Sequence, residues 1–327
     1  MIKMIVTGAN GFIGRALVNK LKNENIKIVV LVRNNEQAEF FKQHHIEYII
    51  GDITDRKSLL NLPDANILFH LAGVLDHTKG QNYLTEVNVK GTENILEICK
   101  IKNINRLVYL STLAVVANGN ELNNIDETYP LPAENIGIYA ESKAKAEKLL
   151  LDYPNHKPEI IIVRPPFVWG NGNNFSIPRI IENINKGIFS WIENGEYLFA
   201  ICHVENLAEG LYLAGIHGKN KNIYFIQDSE TTTLREFLSA ILKSQNIKVP
   251  TKNTSLKMIK FICNVIELPW RILPLKSKAP THLRETIALM GLPVTINSDK
   301  AKNEIKYYPV VSRIDGIEKL KLTQKNE

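Results

Sequence analysis

Cysteine is scarce: three in 327 residues, at positions 99, 202 and 263, with no C-x-x-C pair. An odd number of widely spaced thiols supplies neither a disulfide framework nor a thiolate metal site, and a reducing compartment is expected. Charge of one sign is also in short supply. Lys and Arg total 40 against 34 Asp and Glu, a net of +6, which favours an anionic ligand such as a phosphate without requiring nucleic acid. There is no block of Arg and Lys interleaved with aromatics, so no nucleic-acid partner is expected. Long apolar runs are missing too. The most apolar late stretch, 256–275, is interrupted by Lys257, Lys260, Glu267 and Arg271 and by Pro269 and Pro274, which suits it poorly to spanning a bilayer. His44 and His45 are adjacent rather than one helical turn apart, so no metal is expected. The chain runs from Met1 directly into an apolar segment and a glycine turn, leaving no room for a cleavable leader, and a cytoplasmic location is expected.

What is present is an alternating pattern. With 44% apolar and 23% charged residues the chain can build a full core, and disorder is excluded. Short β-branched runs at 4–7, 27–32, 47–50, 66–71, 106–111 and 159–163 alternate with helix-period segments near 11–22, 36–43, 81–102 and 139–153. That order predicts the α/β class: a doubly wound, Rossmann-type parallel sheet over residues 1–170. After residue 170 the rhythm changes, with helices expected near 177–186 and 204–217. Residues 171–322 are therefore expected to form a smaller, mostly helical substrate lobe, with some segments returning to the sheet, before a polar tail at 323–327.

Thr7-Gly8-Ala9-Asn10-Gly11-Phe12-Ile13-Gly14 joins the first strand to the first helix. Glycines at 8 and 11 let backbone approach a pyrophosphate, Gly14 lets helix pack on strand, and the helix N–H groups at Asn10, Phe12 and Ile13 favour negative charge. The second strand ends Val32-Arg33-Asn34, with Arg where an NAD site usually has a carboxylate. A guanidinium suits a 2′-phosphate, so NADP(H) is expected over NAD(H). Asp52 and Ile53 after the third strand suit an adenine edge, and Leu71, Ala72 and Gly73 after the fourth permit close approach of the cofactor.

Tyr139 and Lys143 stand four residues apart on an expected helix, which puts phenol and ammonium on one face. A nearby ammonium would lower the phenol pKa toward the working pH, as an acid–base catalyst needs. Ser111 and Thr112 end the fifth strand, where doubly wound sheets present their ligand crevice, and Thr112 is the better placed to orient a substrate oxygen. One histidine, His203, begins an expected helix without a sequence-defined nucleophile partner and reads as structural.

Together, Thr7–Gly14, Asp52, the 71–73 segment, Asn88 in Asn88-Val89-Lys90-Gly91-Thr92, Thr112, Tyr139/Lys143, Arg164-Pro165-Pro166-Phe167-Val168 and the 203–208 segment resemble the extended short-chain dehydrogenase/reductase family (the NAD-dependent epimerase/dehydratase group). The Pro-Pro pair and the Val-Arg strand end are most similar to its 3β-hydroxysteroid dehydrogenase and dihydroflavonol-reductase branches. The resemblance implies an oxidoreductase in which Tyr139 is the acid/base, Lys143 holds the nicotinamide ribose, Thr112 orients the substrate and Asn88 supports the site. It also implies that Pro165, Phe167 and Val168 contact the nicotinamide through backbone groups, and a homodimer is common in the family. Leu113-Ala114 follow Thr112 where sugar dehydratases carry Asp-Glu. The reading that results is an NAD(P)(H)-dependent interconversion of a secondary alcohol and a carbonyl on a small, hydrophobic substrate. The alternatives are a nucleotide-sugar epimerase that retains NAD and a non-catalytic NADP-binding sensor or assembly factor. Met258, Phe261, Ile262, Val265, Ile266, Leu268 and Trp270 lie in a late apolar helix that either covers a hydrophobic substrate, with peripheral membrane contact through Lys257, Lys260 and Arg271, or fills the lobe's own core.

Overall fold

The computed structural model describes residues 2–24, 26–154, 156–272 and 282–324. Strands β1 (Ile2–Thr7), β2 (Ile26–Val32), β3 (Glu47–Ile50), β4 (Ile67–His70) and β5 (Arg106–Leu110) are joined by Glu159–Arg164 and Asn222–Phe225 in one seven-stranded sheet. From one edge the order is Asn222–Phe225, Glu159–Arg164, β5, β4, β1, β2, β3, and every pairing is parallel. The outermost strand thus comes from beyond residue 170. Strand order reverses beside β1, the place where a doubly wound sheet opens its crevice.

Alternate residues of each strand enter opposite layers, because successive side chains of a strand point to opposite faces. Met4, Val6, Val30, Phe69 and Val108 face helix α1 (Phe12–Lys22) and the Val204–His217 helix in one core. Ile5, Val29, Leu68, Leu107 and Ile160 face the Gly91–Ile101 and Ile138–Leu151 helices in the other. Burial on both faces is why these strands read as continuous apolar runs rather than alternating ones.

A third core, built on Trp169, Trp191, Phe199, Phe225 and Phe237, holds the lobe. The lobe is mainly helical, but three short parallel ladders tie it together: Ile201–His203 with Phe167–Trp169, Val294–Ile296 with Leu122–Ile125, and Asn253–Thr254 with Trp191–Ile192. The helix expected at 81–102 is divided. A helix over Gly80–Thr85 passes through a π-helical turn at Glu86–Lys90 before Gly91–Ile101 resumes the α-form.

His203 is structural, as its surroundings suggested. Its Nδ1 accepts from the Glu205 N–H at 3.3 Å, capping the Val204–His217 helix, and its ring packs on Trp169 with centroids 4.8 Å apart.

Of the two alternatives for the late helix, Leu256–Ile272, the exposure of its apolar residues goes against the one in which they fill the lobe's core. Phe261 is 63% exposed and Met258, Ile262, Val265, Ile266 and Leu268 are exposed as well, while Cys263 is buried. The side chains of Glu267, Pro269, Trp270 and Arg271, residues 273–275 with Pro274, and residues 325–327 of the tail lie outside the described residues. Among the described residues no helix is long and apolar enough to cross a membrane.

Candidate active site

The glycine turn forms a cradle that needs glycine at positions 8 and 14. Gly8 has φ +70°, and a Cβ there would lie 2.6 Å from the Ala72 nitrogen; one at Gly14 would lie 2.1 Å from the Gly8 carbonyl oxygen. The turn closes through Gly11 N–H to Gly8 C=O at 3.0 Å. Gly11 is the N-cap of α1; no side chain caps the helix and its first turn carries no acid. The N–H groups of Phe12 and Ile13 therefore remain available to an anion. Asn10 is held by Arg15, whose Nη2 donates to Asn10 Oδ1 at 2.7 Å while its guanidinium lies 4.6 Å over the Phe40 ring.

Behind the cradle, β1 and β4 are joined by a buried chain. Thr7 Oγ1 lies 2.8 Å from His70 Nδ1, and His70 Nε2 lies 3.0 Å from Thr92 Oγ1. The Ala72 N–H donates to Thr7 Oγ1 at 3.2 Å, and the Leu71 N–H to the Thr7 carbonyl at 3.3 Å. Asp52 Oδ1 accepts from the backbone and hydroxyl of Thr54 at 2.9 and 2.8 Å, and the buried Ile53 offers its carbonyl to Asn94 at 2.8 Å. At the end of β2, the Arg33 N–H donates to Gln37 Oε1 at 3.0 Å and the Arg33 side chain is exposed.

Four residues from three different elements meet at the carboxyl ends of β4 and β5. Tyr139 and Lys143 lie on the Ile138–Leu151 helix, Thr112 caps the short turn after β5, and Gly73 follows β4. A Cβ at Gly73 would sit 3.2 Å from Asn88 Oδ1 and 4.0 Å from Lys143 Nζ, so glycine keeps a path open to the ammonium. The Thr112 hydroxyl sits beside the Tyr139 phenol, close enough to favour the phenolate. Asn88, on the π-helical turn, accepts from Val74 N–H at 2.8 Å and donates to Val74 C=O and Ser142 Oγ, each at 2.9 Å. It fixes the 73–74 loop against the Tyr139 helix.

Lys143 Nζ is engaged by β5 rather than by Tyr139. Its Nζ donates to the Leu110 carbonyl at 2.7 Å and lies 4.1 Å over the Tyr109 ring. A buried ammonium takes the nearest acceptor and aromatic face, and here both belong to β5. Burial pushes Lys143 down to about 7, partly offset by Glu147. The Tyr139 phenol is pushed up from its ordinary value, first by burial and then by the charge of Glu285, with Thr112 opposing.

The Ser111 hydroxyl is engaged by Glu147. Ser111 is 3% exposed, and Glu147 is buried and paired with Arg164 through Nε at 2.9 Å and Nη2 at 2.5 Å. Pro165 is buried, and its carbonyl accepts from Leu113 N–H at 2.9 Å. The Phe167 ring turns into the lobe core against Phe199 and Phe237. Val168 packs on the sheet core.

Arg15, His77, Gly137 and Glu285 were missed by sequence reasoning. Arg15 carried a signal, a cation directly after the last glycine of the turn. Glu285 carried none, since it reaches the Tyr139 helix from 145 residues away.

A sequence profile of the 3-beta hydroxysteroid dehydrogenase/isomerase family matches residues 5–258. The chain is 33% identical over 321 residues to a 4-hydroxy-2-methyl-3-oxo-4-farnesyl-3,4-dihydroquinoline-1-oxide ketoreductase of Stigmatella aurantiaca, covering 98% of this chain and 96% of the relative. It is 25% identical to a decarboxylating sterol-4-alpha-carboxylate 3-dehydrogenase of Dictyostelium discoideum, over 98% of this chain and all of that one. Among solved structures, gox2253 superposes with a TM-score of 0.81 at 26% identity, covering 99% of both chains. Glycine cradle, parallel sheet and matched profile lead to one assignment: the chain belongs to the 3-beta hydroxysteroid dehydrogenase/isomerase family, within the extended short-chain dehydrogenase/reductases, and is an oxidoreductase of that type.

Proposed function

We propose that the protein is an NADP(H)-dependent reductase or dehydrogenase that interconverts a secondary alcohol and a carbonyl on a largely hydrophobic small-molecule substrate. The observation that carries this is the convergence of Thr112, Tyr139 and Lys143 beside Gly73 at the crevice end of the sheet. The residues of the cradle fit a dinucleotide: Gly8, Gly11 and Gly14 leave room for a pyrophosphate against the uncapped start of α1. Arg33 and Arg15 supply cations for a 2′-phosphate, and Asp52 and Ile53 lie at the adenine end. The nicotinamide, when bound, gives or takes the hydride.

The chain's own residues supply the rest. In reduction the Tyr139 phenol gives its proton to the carbonyl oxygen as negative charge develops there, and Thr112 donates a hydrogen bond to the same oxygen. Lys143 would hold the cofactor ribose, and its charge there would favour the phenolate that remains. Asn88 and Ser142 keep the 73–74 loop and the Tyr139 helix in register. The relatives act on a farnesylated quinoline and a sterol carboxylate, which supports a lipid-like substrate. Leu113 and Ala114, in place of a carboxylate pair after Thr112, argue against sugar dehydration.

Tyr139→Phe should retain NADPH binding and lose turnover by about 100-fold or more. Cofactor titration by fluorescence and a ketone-reduction assay check this, and near-normal turnover overturns the assignment.

A further inference from the structure

The helix that carries Tyr139 is capped from the far end of the chain. Gly137 is its N-cap, and no side chain of its own segment serves it. The cap comes instead from Glu285, 2% exposed on the His282–Met290 helix, whose Oε1 accepts from the Ala140 N–H at 3.0 Å. Gly137 is what admits the carboxylate. A Cβ there would lie 2.0 Å from Oε2 and 2.5 Å from Cδ, whereas its φ of −161° is extended backbone that any residue adopts. The requirement is therefore one of space. On its other side Oε2 faces His77 Nδ1 at 3.4 Å, and the His77 ring stands edge-on to Tyr139 with centroids 6.3 Å apart.

We propose that Glu285 is a positioning residue for Tyr139: it fixes the start of the helix that carries the phenol, and its charge opposes ionisation of that phenol. The proposal rests on the reading of Tyr139 as the acid/base. Two effects of one carboxylate underlie it. Capping fixes the first turn of the helix and with it the phenol. The negative charge opposes a second negative charge on the phenol oxygen, in the same direction as burial.

Burial pushes the Glu285 carboxyl up to about 7, so both of its charge states are populated near neutrality. Ionised, it adds to the opposition that burial already sets against the phenolate; protonated, it withdraws that addition. The titratable groups around it are His77 from the His77–Lys79 turn and Tyr139 from the helix it caps. Glu141, farther along that helix, is taken up by Lys145 at 2.6 Å and Gln81 at 3.2 Å, and Lys143 by Leu110.

The test reads the phenol directly. Full-length protein labelled with ¹³Cζ-tyrosine is titrated by NMR with NADP⁺ present, Tyr139 being assigned by its loss in Tyr139→Phe. Glu285→Gln keeps an acceptor for Ala140 and removes only the charge. The Tyr139 transition should move to lower pH by about 0.5–1 unit, the size of a nearby like-charge effect. Gly137→Ala, which expels the carboxylate, should move it the same way. If wild type does not titrate by about pH 11 and Glu285→Gln does, the proposal also stands. Coincident behaviour of wild type and Glu285→Gln, titrating together or not at all, overturns it. Turnover of Tyr139→Phe with NADPH and ethyl 2-methylacetoacetate reports separately on the acid/base reading, since retained turnover there removes that role whatever Glu285 does to the phenol.

Discussion

Arg15, after the glycine turn, and Arg33, at the end of β2, differ in how they are held. Arg15 is fixed by Asn10 and the face of Phe40, whereas the Arg33 side chain stands exposed with only its backbone N–H engaged by Gln37. A phosphate discriminated by a guanidinium is lost when the charge is reversed. Arg33→Asp should therefore lower the preference for NADPH over NADH by about tenfold or more, worth ~1.4 kcal/mol, as read from the two dissociation constants. Unchanged preference would transfer that role to Arg15. At this scale the legible residues were those whose meaning is local: the glycines of the turn, and Tyr139 and Lys143 at helical spacing. Glu285 and Gly137 were illegible because each is explained only by the other, across a distance that no spacing rule spans. Lys143 shows the opposite limit. Spacing found the residue but not its partner, since the Leu110 carbonyl and the Tyr109 face lie on another element.

Among the elements, α1 has a seat that tolerates little change at Gly14. Alanine is the better helix former, yet at Gly14 its Cβ would lie 2.1 Å from the Gly8 oxygen and 2.7 Å from the Ala9 Cα, both backbone atoms that cannot step aside. Gly14→Ala should cost about 1–3 kcal/mol of overpacking strain and weaken cofactor binding by more than tenfold. At Gly11 the nearest protein atom would be 3.3 Å away, so Gly11→Ala should be much milder in thermal unfolding and act instead on cofactor titration, where its Cβ would meet the pyrophosphate. The main strands could be read from sequence because buried parallel strands are continuous β-branched runs. Two further features could not. The ladders of the lobe, as short as Trp191–Ile192 with Asn253–Thr254, hold too few residues for any period to register. The π-helical turn at Glu86–Lys90 widens one turn without altering the apolar rhythm, yet it presents Asn88 to Val74 and Ser142.

For the whole molecule, buried ionisable groups of opposite type set the dependence of stability on pH. His70 and His203, each 1% exposed, are pushed down to about 3 and about 4, chiefly by burial. Below pH 6.5 the unfolded chain takes up protons that these folded rings refuse, so stability is lost as pH falls. Asp228 and Glu285 are pushed up to about 6 and about 7 by burial. They take up protons in the folded state before the unfolded chain does, so stability is gained over the same interval. Between pH 5 and 6 the two pairs oppose one another and the wild-type profile should be nearly flat. Glu285→Gln removes one of the opposing protons. Its stability should fall on acidification more steeply than wild type, by up to about 1.4 kcal/mol per pH unit, as measured by urea unfolding at a series of pH values. Parallel profiles would show that Glu285 takes up no proton on folding in this range.

The cap on the Tyr139 helix also has a consequence in time. Glu285 follows Ala140 by 145 residues, which at a translation rate of ~5–20 residues per second is a delay of roughly 7–30 s. While a ribosome makes this chain, the glycine cradle and the Tyr139 helix emerge first. The carboxylate that finishes the start of that helix arrives only after most of the lobe has been synthesised. A nascent chain therefore carries the cradle and the Tyr139 helix for some seconds before the carboxylate that caps that helix has been made.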